Sequence, residues 1–401
     1  MDVKIFTDNI EEKAREQIDR LLAVPVFRDC KVRIMPDVHA GAGCVIGFTA
    51  DLGKRVIPNV VGVDIGCGMR TIPLGNIDID YEKLDAVIRE KVPSGMNVHN
   101  DEARQYYDYG ICDLYCFESL KNVDRIRRSI GTLGGGNHFI EIDEDAAGNK
   151  YLIIHTGSRN LGKQVAEYWQ DIADKKCCGK EVYKQFRERS IKDLKDAGHS
   201  DKIGGWLEVF DAFASLCGDN VPKELRYLEG EDRDHYLNDM FICQRWAWFN
   251  RDNIHFVIMD AMGWNMPDGE TYFETVHNYI DGFSNIVRKG AISASKGEKV
   301  LIPLNMRDGC IIGVGKGNLD WNCSAPHGAG RIMSRVAAKK ELNVEDYAKS
   351  MSGIYTTCVC EDTIDEAPMA YKPAEEIINL IAPTVEVQKI IKPVYNFKAK
   401  E

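Results

Sequence analysis

No stretch of this 401-residue chain approaches the roughly 18 uncharged apolar residues that a membrane helix needs. Its opening stretch, MDVKIFTDNIEEKAREQ, carries acids where a secretory signal would be apolar. Both absences lead to the expectation of a cytoplasmic protein with no membrane partner. Positive charge is not in excess either. Lys and Arg number 51 against 62 Asp and Glu, a net charge of −11. That excludes a uniformly basic nucleic-acid coat and leaves room only for a local basic groove. Runs such as RIRR (125–128) and KQFRERSIKDLK (184–195) read first as solvated helix faces. The 13 cysteines include no CxxC pair, and CC (177–178), CDLYC (112–116) and CVC (358–360) lack zinc-knuckle spacing. In a reducing compartment most of them are buried small hydrophobes.

No repeat, low-complexity segment or Pro/Gly/Ser linker divides the chain, so a single domain over 1–401 is expected. Helical spacing predicts helices over 10–23, 79–91, 118–129 and 331–342, and a charged helical insertion over about 160–253. Residues 31–75 alternate short apolar runs with glycine turns. Strands are predicted over 137–143 and 151–155, and strands and turns return over 285–325. Regular strand–helix alternation is missing. The fold class is therefore α+β, a mixed β core with surrounding helices.

Within that core, residues 61–69 read VGVDIGCGM, placing Asp64 and Cys67 between glycines 62, 66 and 68. Three histidines share this glycine-bounded character: His138 in GTLGGGNHFIEI, His155 in YLIIHTGSRNLG and His327 in SAPHGAGR. His277 lies in ETVHNYI. Any one of them alone is more often a hydrogen-bonded core residue. Together, one carboxylate, one thiolate and several imidazoles form a donor set suited to Mn, Zn, Fe or Co. A thiolate has lone pairs to bridge two ions, which gives a reason for bringing Asp64 and Cys67 to one glycine turn. His199 and His235 sit in charged stretches and read as solvated, and His99 and His255 as structural.

Phosphate chemistry has a second set of signals. GVGKGN (313–318) and LGGGN (133–137) expose backbone amides, but neither ends in the GK[ST] of a P-loop. HGAGR (327–331) before a predicted helix offers an imidazole, bare amides and Arg331 together. His327 has no acid within several positions to orient it as a base. Beside a phosphate it reads instead as a nucleophile forming a phosphoramidate.

The segments PDVHAGAG (36–43), VGVDIGCGM (61–69), GGGNHFIE (134–141), HTGSRNLG (155–162), HNY (277–279), RKGA (288–291) and SAPHGAGRIMSR (324–335) resemble the RtcB family of RNA ligases, in order over nearly the whole chain. The resemblance implies a GTP- and Mn(II)-dependent ligase. It would join an RNA 3′-phosphate or 2′,3′-cyclic phosphate to a 5′-hydroxyl, through a GMP–histidine adduct and an RNA-ppG end. It implies two manganese ions bridged by Cys67, one also held by Asp64 and His138, the other by His155 and His277. His327 matches the guanylated histidine. Asn137, Phe139, Glu141, Asn278, Gly328, Ala329, Gly330 and Lys398 match GTP-binding positions, with Glu141 on the guanine edge. Arg159, Lys289, Arg331 and Arg335 match phosphate- or RNA-binding positions. Some members need the activator archease. IPLNMRDG (302–309) departs from the family's usual glycine–serine–methionine–glycine loop, which marks a divergent branch and puts nucleotide choice in question. The role implied is RNA repair or tRNA splicing. A dinuclear phosphoesterase using the same ligands, or a silent RNA-binding homologue, is the alternative. The first of these sits poorly with a single visible carboxylate, the second with a complete ligand set.

Overall fold

The computed structural model describes residues 1–101, 108–177, 180–217 and 221–398. Cys178 and the tail beyond Lys398 lie outside them. Two sheets dominate. The smaller has five strands, ordered Asp2–Ile5, Lys31–His39, Ile46–Asp51, Ile286–Lys289 and Asn278–Ile280. The larger has eight. Its path runs Lys299–Asn305, Gly309–Gly315, Val385–Lys398, Phe139–Glu144, Lys150–Thr156, Gly68–Gly75 and Phe273–Val276, with Tyr355–Thr356 beside Val385–Lys398. Pairing is antiparallel except at Asp2–Ile5 with Lys31–His39 and at Tyr355–Thr356, so the expected mixed α+β core is present.

The strand Phe139–Glu144 shows why the larger sheet has one functional face. Side chains alternate along a strand. Ile140 and Ile142 point into an apolar core with Leu152, Ile154, Ile254 and Ile258. Phe139, Glu141 and Asp143 therefore share the opposite face.

A helix of 33 residues, Gly230–Met262, is the spine, about 50 Å long. Its buried residues Tyr236, Met240, Cys243, Ala247, Asn250, Ile254 and Ile258 recur every three or four positions, one continuous stripe. The first half packs into the core under the five-stranded sheet. The second half packs under the eight-stranded one. Asn250 and Arg251 fall where the two meet.

Several predicted boundaries shift. The helix expected over 331–342 is only Arg335–Glu341. Arg331 instead bridges to Tyr371, and Ser334 caps the helix by accepting from the Ala337 amide. Of 118–129, only Val123–Arg127 is α-helical. The stretch 160–253 breaks into Arg159–Lys176, Lys180–Asp196, Ile203–Cys217 and the start of the long helix, with Leu228–Glu229 paired to Arg55–Val56. No helix among the described residues is long and apolar enough to cross a membrane.

Candidate metal centre and the two cavities beside it

Strand register assembles the cluster. Gly68 lies opposite both Thr156 and Val276, and Phe139 lies opposite His155. Cys67, His138, His155 and His277 are thereby delivered to one edge of the sheet from four chain segments. The His277 amide donates to the Cys67 carbonyl at 2.9 Å, fixing the outer pair. Cys67 Sγ then lies 3.5 Å from His138 Nε2 and 3.3 Å from His155 Nε2, and Asp64 Oδ2 lies 2.9 Å from His138 Nε2. Two overlapping trios result, Asp64–Cys67–His138 and Cys67–His155–His277, with candidate ligand atoms within 4.8 Å in each. Cys67 belongs to both.

The donor set fits transition-metal ions. His138 Nδ1 is 2.9 Å from the Leu133 carbonyl, which can only accept, so Nδ1 holds a proton and Nε2, facing Asp64 and Cys67, is the nitrogen that would exchange its proton for a metal ion. Burial holds His155 and His277 well below the ordinary histidine range, so both are neutral, as ligands must be. Their Nδ1 atoms are buried without a hydrogen-bond partner among the described residues. Burial, with Asp64 adjacent, pushes the Cys67 thiol well up, so only a cation would make it a thiolate. Burial also opposes ionisation of Asp64, but the hydrogen bond and charge of His138 outweigh it and hold that carboxyl at about 2.

The turn carrying Asp64 and Cys67 is clamped by the long helix. Gly66 has φ +74°, and a Cβ there would lie 2.9 Å from Gln244 Cα on that helix. Arg251 Nη1 donates to the carbonyls of Gly66 at 2.9 Å and Thr156 at 2.8 Å. Its Nε and Nη2 donate to Glu274, which also receives Arg70. Asn250 accepts from the amides of Gly131 and Thr132 and donates to the carbonyls of Thr132 and Gly157. Two adjacent residues thus hold the loops that precede His138, follow His155 and contain Cys67.

A row of imidazoles leads out of the cluster. Ring centroids are 5.4 Å apart for His138–His155, 5.2 Å for His155–His277 and 5.0 Å for His277–His327. His327 does have an acid, 290 positions away in sequence. Asp37 Oδ2 accepts from His327 Nδ1 at 2.6 Å, and from the backbone amides of His327 and Gly328. Nε2 is left as the unshared nitrogen.

Two cavities flank the row. The first is lined by His155, His277, His327, Gly328, Ala329, Gly330, Asn137 and Phe139, and ends at Glu141, Asn396, Lys398, Arg331, Arg335, Glu366 and Tyr371. Pro303, Leu304, Asn305 and Met306 of the divergent loop form part of its wall. Glu366 is a buried anion collecting Lys398 at 2.5 Å, Arg335 at 2.5 Å and the Tyr371 hydroxyl at 2.7 Å. The second is a groove on the Asp64 and His138 side, with Arg159, Lys163, Arg125 and Asn160 on its walls. Arg159, at φ +59°, is a strained position for a residue with a side chain. Its guanidinium is aimed by bonds to Thr132 Oγ1 and the Gly95 carbonyl.

Apart from Cys67, which sits in the cluster between them, two residues expected at the site lie outside both cavities. Lys289 is buried and donates to the carbonyls of Ala42 and Asn59, bracing the glycine loop of residues 36–43. Asn278 ties the Asp64 carbonyl to the Gly290 amide, positioning the turn from behind. Asp37, Asn250, Arg251, Glu366 and Asn396 were missed by sequence reasoning. Only Asp37 had a local signal, sitting beside His39 in PDVHAGAG.

Two outcomes follow. Cys67→Ala should lose metal from both trios, read as metal per chain by elemental analysis after dialysis. Metal retained at the wild-type ratio would remove the sulfur from both. Arg251→Met leaves the Gly66 and Thr156 carbonyls without their donor and Glu274 with Arg70 alone, and should cost about 3–5 kcal/mol in a denaturant melt. An unchanged midpoint would show the clamp to be dispensable.

The family model described as tRNA-splicing ligase RtcB matches residues 17–112 and 113–399. RNA-splicing ligase RtcB1 of Escherichia coli (strain ATCC 25922) is 28% identical, covering 96% of this chain and 94% of its own. RNA-splicing ligase RtcB of Escherichia coli K12 matches at the same identity and coverage. tRNA-splicing ligase RtcB of Archaeoglobus fulgidus is 29% identical over 93% of this chain and 88% of its own. On the match along nearly its whole length, this chain belongs to the RtcB family.

Proposed function

We propose that this protein is a GTP-dependent RNA ligase that seals RNA 3′-phosphate or 2′,3′-cyclic phosphate ends to 5′-hydroxyl ends in the cytoplasm, in RNA repair or tRNA splicing. The relatives' names support RNA ligation. The observation that carries the reading is His327, oriented by Asp37 and 5.0 Å ring to ring from His277, at the junction of a metal-ligand cluster and a base-sized cavity.

Two Mn(II) ions fit the paired trios, and when bound would supply positive charge to phosphoryl oxygens and hold them in line. The chain's own residues do the rest. Asp37 keeps the proton on Nδ1, so Nε2 attacks the α-phosphorus of GTP. A P–N bond forms, and pyrophosphate leaves with the electrons of the broken P–O bond. Gly328 and Gly330 let the backbone approach the nucleotide, while Phe139, Glu141 and Lys398 bound its base. Water first opens a 2′,3′-cyclic end by breaking its P–O2′ bond, and an oxygen of the resulting RNA 3′-phosphate then displaces His327 from the GMP phosphorus, regenerating Nε2. The 5′-hydroxyl attacks the activated 3′-phosphate, and GMP departs. Arg159, Arg125 and Lys163 give the groove the charge to hold the RNA end, local and basic on an acidic chain.

The test is incubation with GTP labelled at the α-phosphate, with and without Mn(II), followed by denaturing electrophoresis. Wild type should carry an acid-labile label and His327→Ala none. Asp37→Asn should label at least about a hundredfold more slowly, because the carboxylate charge is lost and the amide nitrogen can turn the imidazole to the other tautomer. Archease belongs in a second reaction as a candidate activator. Absence of label in every reaction, with phosphoester hydrolysis present, would transfer the site to the phosphoesterase reading.

A further inference from the structure

Beyond the metal cluster, the eight-stranded sheet buries a second group of ionisable side chains. Glu141 and Asp143 alternate on the functional face of their strand, and Cys310 arrives from Gly309–Gly315. Their candidate ligand atoms lie within 4.8 Å of one another. Glu141 has two donors, Asn396 Nδ2 at 2.6 Å and Cys310 Sγ at 3.5 Å. Asp143 is fully buried and neither of its oxygens has a hydrogen-bond partner among the described residues.

Among the described residues no cation is hydrogen-bonded to it. Across the sheet, Tyr151 and Pro393 lie opposite Asp143, and Ile153 and Asn396 lie opposite Glu141. Tyr151 gives its hydroxyl to Asp145, Lys389 pairs with Asp145, and Lys398 commits its ammonium to Glu366. Two neighbouring buried carboxyls without a cation between them do not both ionise. The proton goes to the one with no other donor. Burial pushes both carboxyls up, but Asn396, Cys310 and the charge of Lys398 oppose it at Glu141, while the charge of Glu141 adds to it at Asp143 and drives that group well up.

We propose that Asp143 is a permanently neutral carboxylic acid that donates its O–H to Glu141, acting as a positioning residue that sets which base the nucleotide cavity accepts. Glu141, ionised and held on three sides by Asp143, Cys310 and Asn396, then presents an acceptor-only edge. That edge favours a base offering N–H donors over one offering a ring-nitrogen acceptor. This rests on the reading that Glu141 meets the base. The proton on Asp143 can be tested apart from it.

Infrared difference spectra of the full-length protein without nucleotide, wild type minus Asp143→Asn at neutral pH, should show the carbonyl stretch of a neutral carboxylic acid. Equilibrium binding of GTP and ATP, which needs no turnover, reads selectivity. Asp143→Asn, which keeps a donor, should hold the GTP preference within about threefold, and Asp143→Ala should lose at least about tenfold of it. Absence of the neutral-acid band, or a metal ion lost specifically in Asp143→Asn, would overturn the protonated assignment. A band with unchanged selectivity in Asp143→Ala would overturn the positioning role. Failure of either nucleotide to bind would overturn the nucleotide reading and the selectivity with it, leaving the infrared result to decide the proton alone.

Discussion

One buried guanidinium fixes the geometry on which the rest of the protein depends. Arg251 spends its donors on the carbonyls of Gly66 and Thr156 and on Glu274, so the cysteine turn, the end of the His155 strand and the strand before His277 are tied to one helix. A charge buried this deeply is tolerable only because each of its nitrogens finds an acceptor. The cost is offset by precision. A soft sulfur, a carboxylate and three imidazoles must converge within a few tenths of an ångström to hold cations, and loops alone do not do that.

From that anchor the chemistry is laid out as a line. The imidazoles of His138, His155, His277 and His327 step outward from the Asp64 turn at ring spacings of 5.0 to 5.4 Å. A basic groove opens at one end of the line, and a cavity lined by glycines, an aromatic ring and paired charges at the other. The cation-rich end of that cavity is neutralised by Glu366, whose carboxyl is disfavoured by burial but held well below the usual range by Lys398, Arg335 and Arg331.

The sequence made the donor types legible, because glycine turns around Asp64, Cys67, His138 and His327 have no simple structural excuse. It also carried the strand expected over 137–143, found at Phe139–Glu144, and a helical stretch over about 160–253 that takes in the first part of the spine but not its end at Met262. What it could not carry was pairing across distance. Asp37 meets His327 only because Lys31–His39 packs beside the HGAGR loop, so a search for an acid near the histidine in sequence was bound to fail. Arg251 and Asn250 look like surface polar residues of a charged helix until two cores meet around them. Lys289 belongs to a motif that resembles a phosphate-binding one, and its burial, with its bonds to the Ala42 and Asn59 carbonyls, is not visible in that motif. The late start of the helix expected from 331 has a local cause, the bridge of Arg331 to Tyr371.

The central claim is that His327 joins the two cavities chemically, passing a nucleotide from one to an RNA end in the other. The most direct measurement is a chase. Protein guanylated with α-labelled GTP is freed of nucleotide and given RNA ending in a 3′-phosphate, with no 5′-hydroxyl strand present. The account predicts that label leaves the protein and appears on the RNA end, and does so far more slowly in Arg159→Ala, where the groove loses its aimed guanidinium. Label released as free GMP without ever entering RNA would contradict it.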